Sequence, residues 1–163
     1  MIWNRRIFLA SGAAAWATAL HAEAADAVLT LRNPALEGAH GEVSFSRADL
    51  EAMDWATIET GNEFITGTGT FRGPLVDQVL AMIGRADASQ VRLIAANDFF
   101  SDVPIAEMAE YGAILAMELD GKPLSPRDFG PIWVMYPMDS HEELQDARYN
   151  SRLVWQLQVI ELF

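Results

Sequence analysis

Residues 67–83 read GTGTFRGPLVDQVLAMI, and this stretch constrains the fold more than any other part of the chain. Its glycines predict a loop over Gly67–Pro74, and Pro74 suits the first turn of a helix that follows. A glycine-rich loop before a helix also occurs in dinucleotide-binding folds, but residues 61–66 lack the buried strand that such a fold requires. Apolar side chains then recur at helical spacing up to Gly84, which predicts an amphipathic helix. They are Leu75, Val76, Val79, Leu80 and Ile83.

Short segments with alternating or continuous apolar residues surround this helix and predict strands. Ser46 and Asp49 form a capping box that predicts a short helix through Met53. Asp120-Gly121 predicts a two-residue hairpin turn, because both positions tolerate a positive φ. Since strands outnumber helices, the predicted fold class is α+β, as one mixed, β-rich domain. The predicted strands are 28–31, 41–45, 55–60, 91–96, 113–119, 132–136 and 155–162.

The first 24 residues have the pattern of a signal peptide. Arg5 and Arg6 form a positive region, residues 7–20 are apolar and uncharged, and Ala22-Glu23-Ala24 places small residues at a cleavage site. The arginine pair also resembles a twin-arginine signal, so that route and the general secretory route both stay open. The apolar run is too short to span a bilayer. We therefore expect cleavage after Ala24, a domain over residues 25–163, a periplasmic location and no membrane insertion after cleavage.

Composition excludes several function classes. The chain has 23 acidic and 11 basic residues and a net charge of −12. A field of this sign repels polyanions, so we expect no nucleic acid partner. The chain has no cysteine, which excludes disulfides, thiolate metal sites and thiol nucleophiles. Only His40 and His141 follow the leader, and no spacing pairs them as metal ligands. No catalytic residue and no metal ligand is predicted.

Aromatic and polar residues gather where the predicted strands end. An aromatic face beside a carboxylate and an arginine suits a planar heterocycle, because rings stack and a carboxylate accepts two hydrogen bonds from an amidine-like edge. The carboxylate is Asp98 or Glu59. The alternative is that each aromatic residue packs in the core and that Asp98 is a turn residue. The residues predicted to bind the ligand are Glu59, Asn97, Asp98, Phe99, Trp133, Tyr136, Arg148 and Tyr149.

The order of these segments resembles that of the sulfite-oxidase-type molybdopterin-binding fold. Residues 71–80 resemble its GxPLxxLL helix, and residues 91–99 resemble the strand and corner that follow it. Residues 115–124 and 130–137 resemble its nGxPL and GxPxRxxxP elements, and residues 155–161 resemble its closing strand. The resemblance implies the fold of that family and a site for a pterin-bearing cofactor.

The chain departs from that family at the metal. The resemblance implies a molybdenum-ligating cysteine upstream of the glycine in the helix motif, but this neighbourhood reads Glu59-Thr60-Gly61 here. The arginine of GxPxR is replaced by Trp133. The resemblance therefore implies a pterin pocket that persists without the metal centre.

The chain also resembles a cysteine-free group of small periplasmic proteins, through Tyr136-Pro137-Met138-Asp139 and Val154-Trp155-Gln156-Leu157. This implies binding of a reduced, metal-free pterin and action on the periplasmic domain of a membrane cyclic-di-GMP signalling protein. The sequence thus favours a periplasmic pterin-binding sensor or regulator over an enzyme. Two alternatives stay open: a molybdopterin-dependent oxidoreductase without a sulfur ligand, and a degenerate interaction protein of the same fold.

Overall fold

The computed structural model describes residues 26–84 and 87–163. The predicted signal peptide and its cleavage site lie outside the described residues. Within them, no helix is both long enough and apolar enough to cross a bilayer. In chain order, the strands and α-helices are β1 (Ala27–Arg32), β2 (Glu42–Ser46), α1 (Arg47–Glu51), β3 (Trp55–Gly61), β4 (Thr68–Pro74), α2 (Val76–Leu80), β5 (Gln90–Ala95), β6 (Phe100–Pro104), α3 (Ile105–Glu110), β7 (Ile114–Ala116), β8 (Glu118–Leu119), β9 (Lys122–Pro123), β10 (Trp133–Met135) and β11 (Leu157–Leu162).

The described residues form one five-stranded sheet, one four-stranded sheet and one strand pair. The five-stranded sheet has the order β2-β1-β11-β5-β6, the four-stranded sheet has the order β3-β4-β8-β9, and β10 pairs with β7. β1 and β11 run parallel, with Thr30 opposite Val159, and the other neighbouring strands are antiparallel. Every residue of β7 and β10 is buried. This pair therefore lies in the hydrophobic core, and the fully apolar strand predicted over 132–136 is confirmed.

Local sequence rules account for much of this structure. Asp49 N donates to Ser46 Oγ at 3.2 Å and Ser46 N donates to Asp49 Oδ2 at 2.8 Å, which is the predicted capping box at the start of α1. Asp120 and Gly121 have φ values of 52° and 72° in the turn between β8 and β9, as the hairpin signal requires. The predicted mixed, β-rich α+β fold is confirmed.

The predicted loop over Gly67–Pro74 is wrong, because residues 68–74 form β4. The glycines of this strand serve close packing rather than a turn. A Cβ atom on Gly73 would lie 1.8 Å from Leu115 O in β7, and one on Gly69 would lie 2.6 Å from Leu119 Cδ1. Pro74 ends the strand, and Leu75 is the N-cap of the short helix α2.

Strand β6 and helix α3, which follow β5 directly, were not predicted from the sequence. The sequence predicted one strand over 113–119, but the structure divides this stretch into β7 and β8, which pair with β10 and β4 respectively. After β10 the chain forms a run of 3₁₀ turns over residues 138–152, here called the 3₁₀ segment.

Candidate functional site

Two adjoining cavities lie between the end of β3, the β5–β6 turn and the 3₁₀ segment. Glu63 and Asn150 line both of them. The first, called the aromatic cavity, has a volume of about 380 Å³ and is lined by Glu63, Phe64, Ala95, Asn97, Phe99, Ala147, Asn150, Ser151, Leu153 and Trp155. The second, called the polar cavity, has a volume of about 340 Å³ and is lined by Gly61, Asn62, Glu63, Ile65, Gly67, Met138, Asp139, Gln145 and Asn150.

Trp155 is the largest ring on the wall of the aromatic cavity. It forms a backbone bridge with Trp133 just before β11 begins. Its ring meets Phe64 edge-on at 4.7 Å and Phe129 at 5.8 Å between centroids. Trp133 is fully buried behind this wall and stacks on Phe129 at 4.3 Å. The core thus supports Trp155 from behind and leaves it half-buried at the cavity.

Two asparagine turns place phenylalanines on the wall of the aromatic cavity. Asn62 Oδ1 accepts a hydrogen bond from Phe64 N at 2.8 Å, and Asn97 Oδ1 accepts one from Phe99 N at 3.2 Å. In both turns the asparagine side chain stands in for a backbone acceptor and stabilises the bend. Glu63 lies between Asn62 and Phe64, where it lines both cavities.

Asp139 joins the 3₁₀ segment to the end of β3 at the polar cavity. Its Oδ2 accepts a hydrogen bond from Gly61 N at 2.6 Å, and its backbone N donates to Thr60 Oγ1 at 3.0 Å. Thr60 is fully buried. The core therefore sets the position of Thr60, which holds the backbone of Asp139, while Gly61 N holds its carboxylate.

A partly buried ion pair connects the C-terminal end of the 3₁₀ segment to α3. Arg152 donates from Nε and Nη2 to the two carboxylate oxygens of Glu107 in α3, at 2.5 and 2.8 Å. The hydroxyl of Tyr136 donates to Glu107 Oε1 at 3.3 Å. Burial, with the charge of Glu107, raises the pKa of Tyr136 far above its usual value, so the phenol keeps its proton and remains a donor.

The structure brings only part of the predicted binding set to the cavities. Asn97 and Phe99 line the aromatic cavity. Glu59 is exposed on β3, and Asp98 is exposed in the β5–β6 turn with a φ of 64°. Neither of these carboxylates lines the aromatic or the polar cavity.

The remaining predicted residues lie behind or beside the aromatic cavity. Trp133 and Tyr136 are fully buried in the core. Arg148 is exposed, with its Nε 3.7 Å from Asp146 Oδ1. Tyr149 is buried, and the guanidinium groups of Arg148 and Arg152 lie 5.3 and 4.7 Å from its ring centre.

Eight of the ten residues that line the aromatic cavity were not in the predicted set, and Ala95, Ala147 and Leu153 are among them. One signal was available, because Asn62-Glu63-Phe64 repeats the pattern of Asn97-Asp98-Phe99. The 3₁₀ segment offered no such signal, since its residues have no periodic pattern. The other five unpredicted residues are Glu63, Phe64, Asn150, Ser151 and Trp155.

The polar side chains that line the two cavities suit a planar heterocycle, but they provide few ligands for a molybdenum centre. The resemblance implied a cysteine near Glu59-Thr60-Gly61, and a Cβ atom on Gly61 would lie 3.4 Å from Asp139 Oδ2, so a thiolate at Gly61 would lie close to a carboxylate. Over residues 26–84 and 87–163, no group of three or more His, Asp or Glu side chains could hold a metal ion. No described Lys, Arg or His lines either cavity, which leaves an anionic phosphate without a cation.

Comparisons with known proteins agree with the fold. The family model described as "Oxidoreductase molybdopterin binding domain" matches residues 42–139, which run from β2 to Asp139. Among solved structures, the chain is similar to the sulfane dehydrogenase SoxCD from Paracoccus pantotrophus, with a TM-score of 0.61 and 13% identity. The match covers 83% of this chain and 37% of that chain, so this chain spans well under half of its length. No curated protein matches the chain by sequence.

Proposed function

Because the chain belongs to the oxidoreductase molybdopterin-binding domain family, we propose that it binds a pterin in the aromatic cavity and acts as a sensor or regulator. The observation that carries this proposal is the aromatic cavity itself. Trp155 and Phe64 provide aromatic surface, and Glu63 provides a carboxylate at the junction with the polar cavity. A pterin presents a flat ring and an amino-amidine edge, which match these two features.

Four of the lining residues have a specific part in this proposal. Trp155 stacks on the ring, and Glu63 accepts two hydrogen bonds from the amino edge in place of Asp98 or Glu59. Asn97 and Asn150 offer amide donors and acceptors to the remaining ring atoms. A charge-assisted hydrogen bond contributes roughly 1.5–3 kcal/mol, so Glu63 is the largest polar contributor.

The second candidate function is a molybdopterin-dependent oxidoreductase, which the description of the matching family favours. Against it stands the absence of cysteine from the whole sequence. Metal analysis of protein purified from a molybdenum-replete host separates the two. We expect no stoichiometric molybdenum, and a stoichiometric amount retained through gel filtration would overturn the metal-free proposal.

The location and the partner are further parts of the proposal. The leader pattern in residues 1–24 supports export to the periplasm. Resemblance to cysteine-free periplasmic pterin-binding proteins supports an action on the periplasmic domain of a membrane cyclic-di-GMP signalling protein. Ligand binding would then shift the population of a surface that this partner recognises.

Titration with oxidised and reduced pterins tests the binding site. We expect binding by the wild-type protein, and a loss of affinity of about tenfold or more in Trp155→Ala, because stacking of a heterocycle on an aromatic side chain contributes roughly 1–3 kcal/mol. Trp155→Phe should retain most of the affinity. The control is Phe163→Ala, since Phe163 is half-exposed and lines neither cavity. Failure of the wild-type protein to bind any pterin would refute the proposal.

A further inference from the structure

We infer that Asp139 makes the polar cavity select a pterin with an uncharged, hydroxyl-bearing tail and exclude one whose tail carries a phosphate. This inference rests on the proposed function, because it takes the aromatic cavity as the site of the ring. The two cavities meet at Glu63 and Asn150. A ring substituent that leaves the aromatic cavity past these two residues therefore enters the polar cavity.

The carboxylate of Asp139 is fixed in position. Gly61 N holds Oδ2 at 2.6 Å, and the backbone of Asp139 is held by buried Thr60. The other carboxylate oxygen, Oδ1, has no hydrogen-bond partner among the described residues. Oδ1 of Asp139 can therefore accept a hydrogen bond from a hydroxyl group of the ligand.

The charges around the polar cavity have one sign. Glu63 and Asp139 both line it, and no described Lys, Arg or His lines it or the aromatic cavity. A hydroxylated tail would find acceptors in these carboxylates and in the amides of Asn62, Gln145 and Asn150. Glu63 and Asp139 are exposed, so solvent screens part of the repulsion, but a phosphate would still bring a like charge next to a carboxylate without a compensating cation, which disfavours binding.

The carboxylate of Asp139 also affects the binding of molybdopterin. It accepts a hydrogen bond from Gly61 N, in the stretch Glu59-Thr60-Gly61 where the resemblance implied a metal-ligating cysteine. Molybdopterin ends in a phosphate, so its tail would meet the same unfavourable charge. Selection against an anionic tail would thus exclude molybdopterin, with or without its metal, and still admit a pterin that has no phosphate.

Neopterin and neopterin monophosphate are the probes, because they differ only in the phosphate on the tail, and fluorescence titration measures both. We expect the wild-type protein to bind the phosphate ester at least about tenfold more weakly. Asp139→Asn should reduce this ratio by about tenfold, mainly through tighter binding of the ester. The amide oxygen can still accept from Gly61 N, so melting curves should show that the fold survives.

Asp146→Asn is the matched control, since Asp146 lies exposed in the same segment and lines neither cavity. It should leave the ratio of the two affinities unchanged. A second measurement needs no variant, because added salt screens the repulsion and should narrow the wild-type ratio. Equal wild-type affinity for both probes, or equal effects of the two variants, would overturn the inference and leave the proposed function standing. Failure to bind either probe would instead remove the proposed function.

Discussion

Two turns with the same Asn-acid-Phe pattern line the aromatic cavity, but only one of them places its acidic side chain on the cavity wall. Asn62-Glu63-Phe64 follows β3, and Asn97-Asp98-Phe99 follows β5. In each, the asparagine side chain accepts from the phenylalanine backbone N, and the phenylalanine lines the cavity. Glu63 also lines the cavity, whereas Asp98 does not.

The length of the connection explains this difference. Asp98 sits in a tight hairpin, where its N donates to Ala95 O at 3.1 Å and Ala95 N donates to Phe99 O at 2.9 Å. These bonds impose a positive φ of 64° on Asp98 and fix its direction. The first turn begins the longer connection between β3 and β4, and Glu63 does not have a positive φ. Turns of the same Asn-acid-Phe pattern therefore place their acidic residues differently when the pairing of the flanking strands differs.

The largest expected difference between the turns concerns their phenylalanines. Phe64 is half-buried against Trp155 and Trp133, with ring centroids at 4.7 and 6.3 Å, whereas Phe99 is 48% exposed. Phe64→Ala should lower the free energy of unfolding by about 2–3 kcal/mol, because it leaves space among the rings. Phe99→Ala should lower it by less than about 1 kcal/mol. Urea unfolding measures both, and equal losses would contradict the comparison.

The acidic residues should differ in ligand affinity. Glu63→Gln replaces one of the two acceptors with a donor, so affinity for neopterin should fall by about tenfold or more. Asp98→Asn should change affinity by less than about twofold, and its melting temperature should stay close to that of the wild type, because asparagine tolerates a positive φ. A large affinity loss in Asp98→Asn would restore Asp98 as the ligand carboxylate.

The smallest effect concerns backbone conformation. Asp98→Gly should raise the free energy of unfolding by about 0.5 kcal/mol, because glycine adopts the left-handed region without steric cost. Glu63→Gly should lower it by about the same amount, because glycine there only adds freedom to the unfolded chain. Paired thermal melts of the two variants test this, and a shift in the same direction for both would contradict the assigned conformations.

Much of the fold was predictable from short-range patterns. The alternating strands, the capping box at Ser46 and the hairpin at Asp120-Gly121 all depend on residues that lie close together in sequence. The glycines of β4 wrongly indicated a loop. At Gly73, the backbone of β7, about forty positions away in the sequence, leaves no room for a side chain. β6 and α3 were missed because their polar residues obscure the apolar period.

The candidate site was predictable only in outline. Aromatic rings beside acidic and amide groups pointed to a heterocycle, and Asn97 and Phe99 do line the aromatic cavity. Trp133 was predicted to bind the ligand, but the structure buries it fully in the core. Arg152, which was not among the predicted binding residues, forms an ion pair with Glu107, 45 positions away in the sequence. No spacing rule links residues so far apart.

The sequence alone determined the β-rich α+β class, the absence of any thiolate, the negative charge and the asparagine turns. The apolar pattern of short segments sets the fold class, composition sets the absence of thiolate and the charge, and hydrogen bonds within a few residues set the asparagine turns. The tertiary structure decided which carboxylate and which rings face the cavities. That choice depends on contacts such as Gly61 with Asp139, 78 positions apart, which form only when the sheets and the 3₁₀ segment pack together.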